Sequence, residues 1–123
     1  MAKRVTDKNQ SQRLINAGIY IKPDMWQSPN GGIASFPILS SDGPCDCFEC
    51  WSLTELLDYL PQEIVNDVEE TCTLQICKDS ETTYYIYYRN EWTDAIEIES
   101  ETNEELIDCV VEMLLTLLKN NWI

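Results

Sequence analysis

Three thiols crowd into six residues at Cys45-Asp46-Cys47-Phe48-Glu49-Cys50, with two carboxylates between them. Thiolates and carboxylates both ligate metals, and Cys47 and Cys50 have the C-x-x-C spacing with which one loop presents two sulfurs to one ion. Tetrahedral zinc takes four ligands, usually from two separated pairs. The chain contains no histidine, so the other ligands would have to be Cys45, a distant cysteine or a carboxylate. Cys45, Cys47 and Cys50 are therefore the candidate metal ligands and zinc the candidate ion. The spacing favours the alternative more: one of Cys47 and Cys50 packs as a small hydrophobe, the loop binds nothing, and no cofactor is expected.

The lack of histidine also removes the usual general base, and with it Ser-His-Asp and Cys-His nucleophiles. No glycine-rich phosphate loop occurs. Carboxylate pairs abound, but in a chain with 22 acids such pairs arise by chance, and glycosidase-type arguments lose their force. The chain is expected not to be an enzyme.

The elements that position these groups are read from periodicity. A basic leader over 1–22 carries a helix from about Asp7 to Ala17, with Thr6 as its cap and Gly18 as its left-handed end. Residues 23–50 are rich in proline and glycine and read as loop, with Ile33 to Leu39 as a brief edge strand. At 51–65, Ser52 and Glu55 form a capping box and Trp51 staples onto Leu56. Leu53, Leu56, Leu57 and Leu60 then recur at helical spacing until Pro61 stops the helix.

Over 71–99 the period changes to two. Cys72, Leu74 and Ile76 alternate with polar residues, Tyr84, Ile86 and Tyr88 share a face, and Ile96 and Ile98 alternate with glutamates, which predicts an antiparallel meander of three strands. Its second face carries Tyr85, Tyr87, Glu97 and Glu99, the candidate partner-binding residues. A long helix over 103–121, capped by Thr102 with Glu105, covers the apolar face and returns Trp122 and Ile123 to the core. Its stripe, broadened by Ile107, Val111 and Leu115, exceeds what one small sheet can cover, so a homodimer is also considered. The fold class expected is α+β: a three-stranded antiparallel meander under a long C-terminal helix, with two shorter N-terminal helices and a loop-rich segment between them. At 123 residues, one domain is expected.

The stretch Trp51-Ser52-Leu53-Thr54-Glu55-Leu56-Leu57-Asp58-Tyr59-Leu60-Pro61-Gln62-Glu63-Ile64 resembles the W-S-L-x-x-L-L-x-x-L-P-x-x-I pattern of small uncharacterised proteins encoded by prophages and other mobile elements of Bacteroides-type gut bacteria. Gln10 to Ile19 is similar to their N-terminal Q-S-x-x-L-x-x-x-G helix, and Glu105 to Ile123 to their C-terminal ending. The resemblance covers most of the chain, with 24–43 the least similar part. It implies an origin in a mobile element and no particular chemistry.

Charge divides the function classes further. Residues 1–22 hold five basic residues against Asp7, a net +4, whereas the rest holds three against 21 acids, a net −18. So acidic a body repels phosphate backbones, and direct nucleic-acid binding is disfavoured. No apolar run approaches a membrane span, and Met1-Ala2-Lys3-Arg4 leads into polar residues, so a cytoplasmic chain is expected. The leading expectation is a non-enzymatic protein-interaction module of a phage or mobile element, its protein partner not identifiable from the residues. An acidic nucleic-acid mimic that occupies the basic channel of a host defence enzyme is the second reading, and a small metal-binding protein using the cysteine cluster the third.

Overall fold

Asp7 starts the first helix. Its carboxylate accepts the Gln10 N–H at 2.7 Å while the Gln10 amide oxygen accepts the Asp7 N–H at 3.1 Å, a reciprocal pair that satisfies two open donors at the head of α1 (Lys8–Ala17). Thr6, expected as the cap, is buried instead; its hydroxyl bonds Ser11 Oγ at 2.7 Å and accepts the Trp51 N–H at 3.0 Å. Gly18, left-handed at φ 91°, closes α1 as expected. The computed structural model describes residues 4–19, 21–27, 33–35, 48–78 and 80–123.

Within 23–50, read as loop, three short strands pair: β1 (Met25–Gln27), β2 (Ile33–Ser35) and β3 (Phe48–Cys50), antiparallel in the order β2-β1-β3. The edge strand expected over Ile33 to Leu39 is β2 as far as Ser35, and 36–39 lie outside the described residues. Each strand has three residues, too few for alternation to show in the sequence. Ser52 then caps α2 (Leu53–Tyr59) by accepting the Glu55 N–H at 3.1 Å. The return half of the expected capping box comes from elsewhere, since Asp24 accepts both the Ser52 N–H at 2.7 Å and its hydroxyl at 2.5 Å. Leu60 ends the helix beside Pro61.

The meander has four strands where three were expected: β4 (Glu63–Val65), β5 (Thr71–Lys78), β6 (Tyr84–Asn90) and β7 (Ile96–Glu99), antiparallel in the order β4-β5-β6-β7. β4 escapes notice because it buries only Ile64, opposite Cys72. α3 (Leu106–Lys119) starts later than predicted and Glu105 caps it without a side-chain hydrogen bond. Asn103 is engaged differently, its N–H and carbonyl paired with Tyr84 at 2.9 and 2.7 Å, and that bridge holds the chain extended where the Thr102 box would have begun a helix. No helix among the described residues is long and apolar enough to cross a membrane.

One core joins Leu14, Trp51, Leu56, Leu60 and Ile64 to Cys72, Ile86 and Tyr88 on one face of the larger sheet, and to seven buried residues of α3. Ile107 and Val111, which widen the α3 stripe, are fully buried within the monomer. α1 and α2 pack against α3 and supply the cover that the sheet lacks. The Trp122 N–H returns to the Leu117 carbonyl at 3.0 Å past a left-handed Asn121, and Trp122 and Ile123 pack half-buried on the core as expected. Deleting Trp122 and Ile123 therefore lowers stability by about 2–4 kcal/mol, read as a fall in the urea midpoint with little change in slope.

Candidate functional site

Of the candidate metal ligands, Cys45 and Cys47 lie outside the described residues, and Cys50 ends β3 with no solvent exposure. Burial, and next the Asp24 carboxylate, push the Cys50 thiol from its usual 9.0 up to about 12. A thiol so held is protonated, whereas the thiolate is the ligand and the nucleophile. Cys72 and Cys109 are buried too, and burial raises both thiols first of all causes. Cys109 Sγ donates to the Tyr84 carbonyl at 3.3 Å, which ties α3 to β6. Cys77 is half-exposed on the sheet. Among the described residues, no group of three or more cysteines and carboxylates is arranged to hold an ion.

The register places the other candidates. Cys77 faces Tyr85, Gln75 faces Tyr87 and Thr73 faces Arg89 across β5 and β6, and Tyr87 faces Glu99 across β6 and β7. Side chains alternate along a strand, so these residues share the face opposite the core. Tyr85 and Tyr87 stack there with ring centroids 5.7 Å apart and planes at 17°. Partial burial, then the neighbouring Cys77, raise the Tyr87 phenol above its ordinary value. Tyr88, one residue on, points into the core and donates its hydroxyl to the Pro61 carbonyl at 2.6 Å. Three of the four expected partner-binding residues, Tyr85, Tyr87 and Glu99, thus lie together.

Glu97 does not join them. A bulge between Tyr88 and Arg89 breaks the clean alternation of β7, setting Ile96 opposite Arg89 and leaving Glu97 to accept the Asn66 amide at 3.0 Å. Ile96 takes a place on the open face at 52% exposure, a residue that the alternation assigned to the core side. The cause lies in the preceding turn. The buried Asn90 accepts the Trp92 and Thr93 N–H groups at 2.8 and 3.1 Å, and its own N–H bonds the Ala95 carbonyl. Asp94, left-handed at φ 60°, bonds Arg89 at 2.6 Å. An asparagine ahead of such a turn is a legible turn signal, but the bulge that follows it has no signature in composition.

The open face runs out at the β7 edge into a groove of about 570 Å³ lined by Tyr85, Ile96, Glu99, Ser100, Glu101 and Thr102. A second hollow of about 400 Å³ shares Glu99, Ser100 and Glu101 and reaches Asp108 and Glu112 on α3. Those two helix acids are engaged by α1: Gln10 Nε2 donates to Asp108 at 2.6 Å and Arg13 pairs with Glu112 at 2.9 Å. No family model matches the chain, and no curated protein or solved structure matches it either.

Site-resolved alkylation distinguishes the thiols. Native protein labelled at pH 8 with iodoacetamide is expected to carry adduct at Cys77, with Cys50, Cys72 and Cys109 modified only after denaturation, as read by peptide mass spectrometry. The raised thiols also give stability a sign. A folded-state pKa above the unfolded one leaves the neutral thiol's contribution complete below the usual 9.0 and loses it as pH climbs toward about 12. Stability at pH 7 is therefore expected to exceed that at pH 10.5 in urea titrations, and Cys50→Ala should shrink the difference.

Proposed function

We propose that the chain is a non-enzymatic protein-interaction module of a mobile element, acting in the cytoplasm, and that it meets its protein partner with the open face of the four-stranded sheet. The observation that carries this reading is one-sidedness. The core lies on the Cys72, Ile86 and Tyr88 side, while the stacked Tyr85 and Tyr87, half-exposed, and Ile96 stand on the other. Stacked tyrosines give a rigid amphipathic surface at low entropic cost, and such residues recur where partners bind most strongly. The resemblance to prophage-encoded proteins supports the mobile-element origin. The lack of imidazole and of any phosphate loop supports a binding role over a catalytic one.

Exchanging both rings, Tyr85→Ala with Tyr87→Ala, tests the assignment. Wild-type and variant chains are used to capture partners from a lysate of a Bacteroides-type host, and their melting curves are recorded alongside. The expected result is a folded variant that loses the captured partner at least tenfold, about 1.4 kcal/mol or more. Undiminished capture by a folded variant sinks the assignment of this face.

A further inference from the structure

We infer that the partner offers an extended segment bearing lysine or arginine, which adds to the sheet as a fifth strand along the β7 edge. The inference rests on the interaction-module reading and deepens it, because the edge adjoins the tyrosine face. β7 is the outermost strand in the order β4-β5-β6-β7, and among the described residues it pairs with β6 alone. The Ser100 N–H bonds the Ile86 carbonyl at 2.8 Å, so that position faces inward. Antiparallel strands alternate inward-bonded and outward-facing positions, and the backbone N–H and carbonyl of Glu99 therefore point to the open side. An edge of this kind is a template for another strand.

Charge decides what the strand carries. Glu99 and Glu101 line the 570 Å³ groove beside the edge, with Tyr85 and Ile96 as its apolar part. Among the described residues neither glutamate has a cation in salt-bridge range, in contrast to Glu112, which holds Arg13. A second copy of this chain is the wrong occupant, since antiparallel pairing of two β7 edges sets Glu99 and Glu101 against their own kind. A segment alternating cationic and apolar residues fits on both counts. Lysine or arginine stems lie along Tyr85 and Ile96 while their heads reach Glu99 and Glu101.

The test uses the full chain and a fluorescein-labelled ten-residue peptide alternating lysine and valine, titrated by anisotropy at 50 and 300 mM salt. Three further peptides replace lysine by glutamate, or carry N-methyl groups on alternate residues in one register or the other. The expected outcome is saturable binding of the lysine peptide, about tenfold weaker at the higher salt. The glutamate peptide should not bind, and at least one N-methylated register should bind tenfold or more weakly, because it can no longer donate to the edge. Glu99→Gln with Glu101→Gln, both at exposed positions, should weaken the lysine peptide by a similar factor without lowering the melting temperature. Equal binding of both N-methylated peptides overturns strand addition, and binding of the glutamate peptide or indifference to the glutamine changes overturns the charge assignment. If no peptide binds while a folded basic DNA-binding domain does, the inference falls in favour of charge mimicry. Its failure is separable from that of the module reading, which the tyrosine exchange tests on its own.

Discussion

The junction at Trp51 and Ser52 holds together parts of the chain that lie far apart in sequence. Trp51 is 1% exposed yet carries three polar groups, and burying any of these without a partner would cost more than a hydrogen bond normally contributes. Two are satisfied by Thr6 and the third by the segment before β1. Thr6 Oγ1 takes the backbone N–H and the Thr6 N–H takes the carbonyl, while Ile21 accepts the indole N–H. Ser52 then receives Asp24 on its N–H and hydroxyl and caps α2 with the same oxygen. The N-terminal stretch, α1, the segment before β1 and α2 are thereby fixed to one point before any apolar packing is counted.

From that point the burial of α3 follows. A helix apolar over this much of its circumference needs cover on several sides, and a sheet of short strands covers only one. With α1 and α2 held by the junction, further sides close within the monomer, where Ile107 and Val111 are fully buried. The same arrangement places all three helices of the described residues on the core side of the sheet. What remains open is a consequence of where the cover is tethered: the Tyr85 and Tyr87 face has no helix to meet it among the described residues.

How much of this is legible in the residues depends on the length over which a pattern repeats. α2, α3, β5 and β6 run for seven residues or more, and their faces follow from spacing. β1 to β4 have three residues each, and such strands are specified by pairing partners distant in the chain. Caps fall between these cases. Ser52 was readable, but Asp24 as its partner was not, since 28 residues separate them. Thr6 and Thr102 have the right chemistry for caps, yet tertiary bonds claim Thr6 for Trp51 and hold Asn103 on β6. Within the candidate site, Tyr85, Tyr87 and Glu99 followed from alternation alone. Glu97 and Ile96 did not, because one bulge shifts both, and a bulge is set by how the Asn90 turn closes.

That bulge also governs where the acidity of the chain is felt. The surplus of acids is a property of composition, and by itself argues for little beyond solubility. The fold divides it. On α3, Asp108 and Glu112 are met by Gln10 and Arg13 of the basic leader, so part of the positive charge at the N-terminus is spent inside the molecule. Around the turns at 66–70 and 90–95, Glu70 and Glu97 accept the amides of the buried Asn66 and Asn90 and so brace the end of the sheet. With Glu97 drawn to that end, the glutamates beside the β7 edge are Glu99 and Glu101, and Ile96 takes the place beside them. An edge so composed sets an apolar patch next to two carboxylates. The character of this edge is thus set less by the total charge than by which few acids the packing leaves without a cation among the described residues.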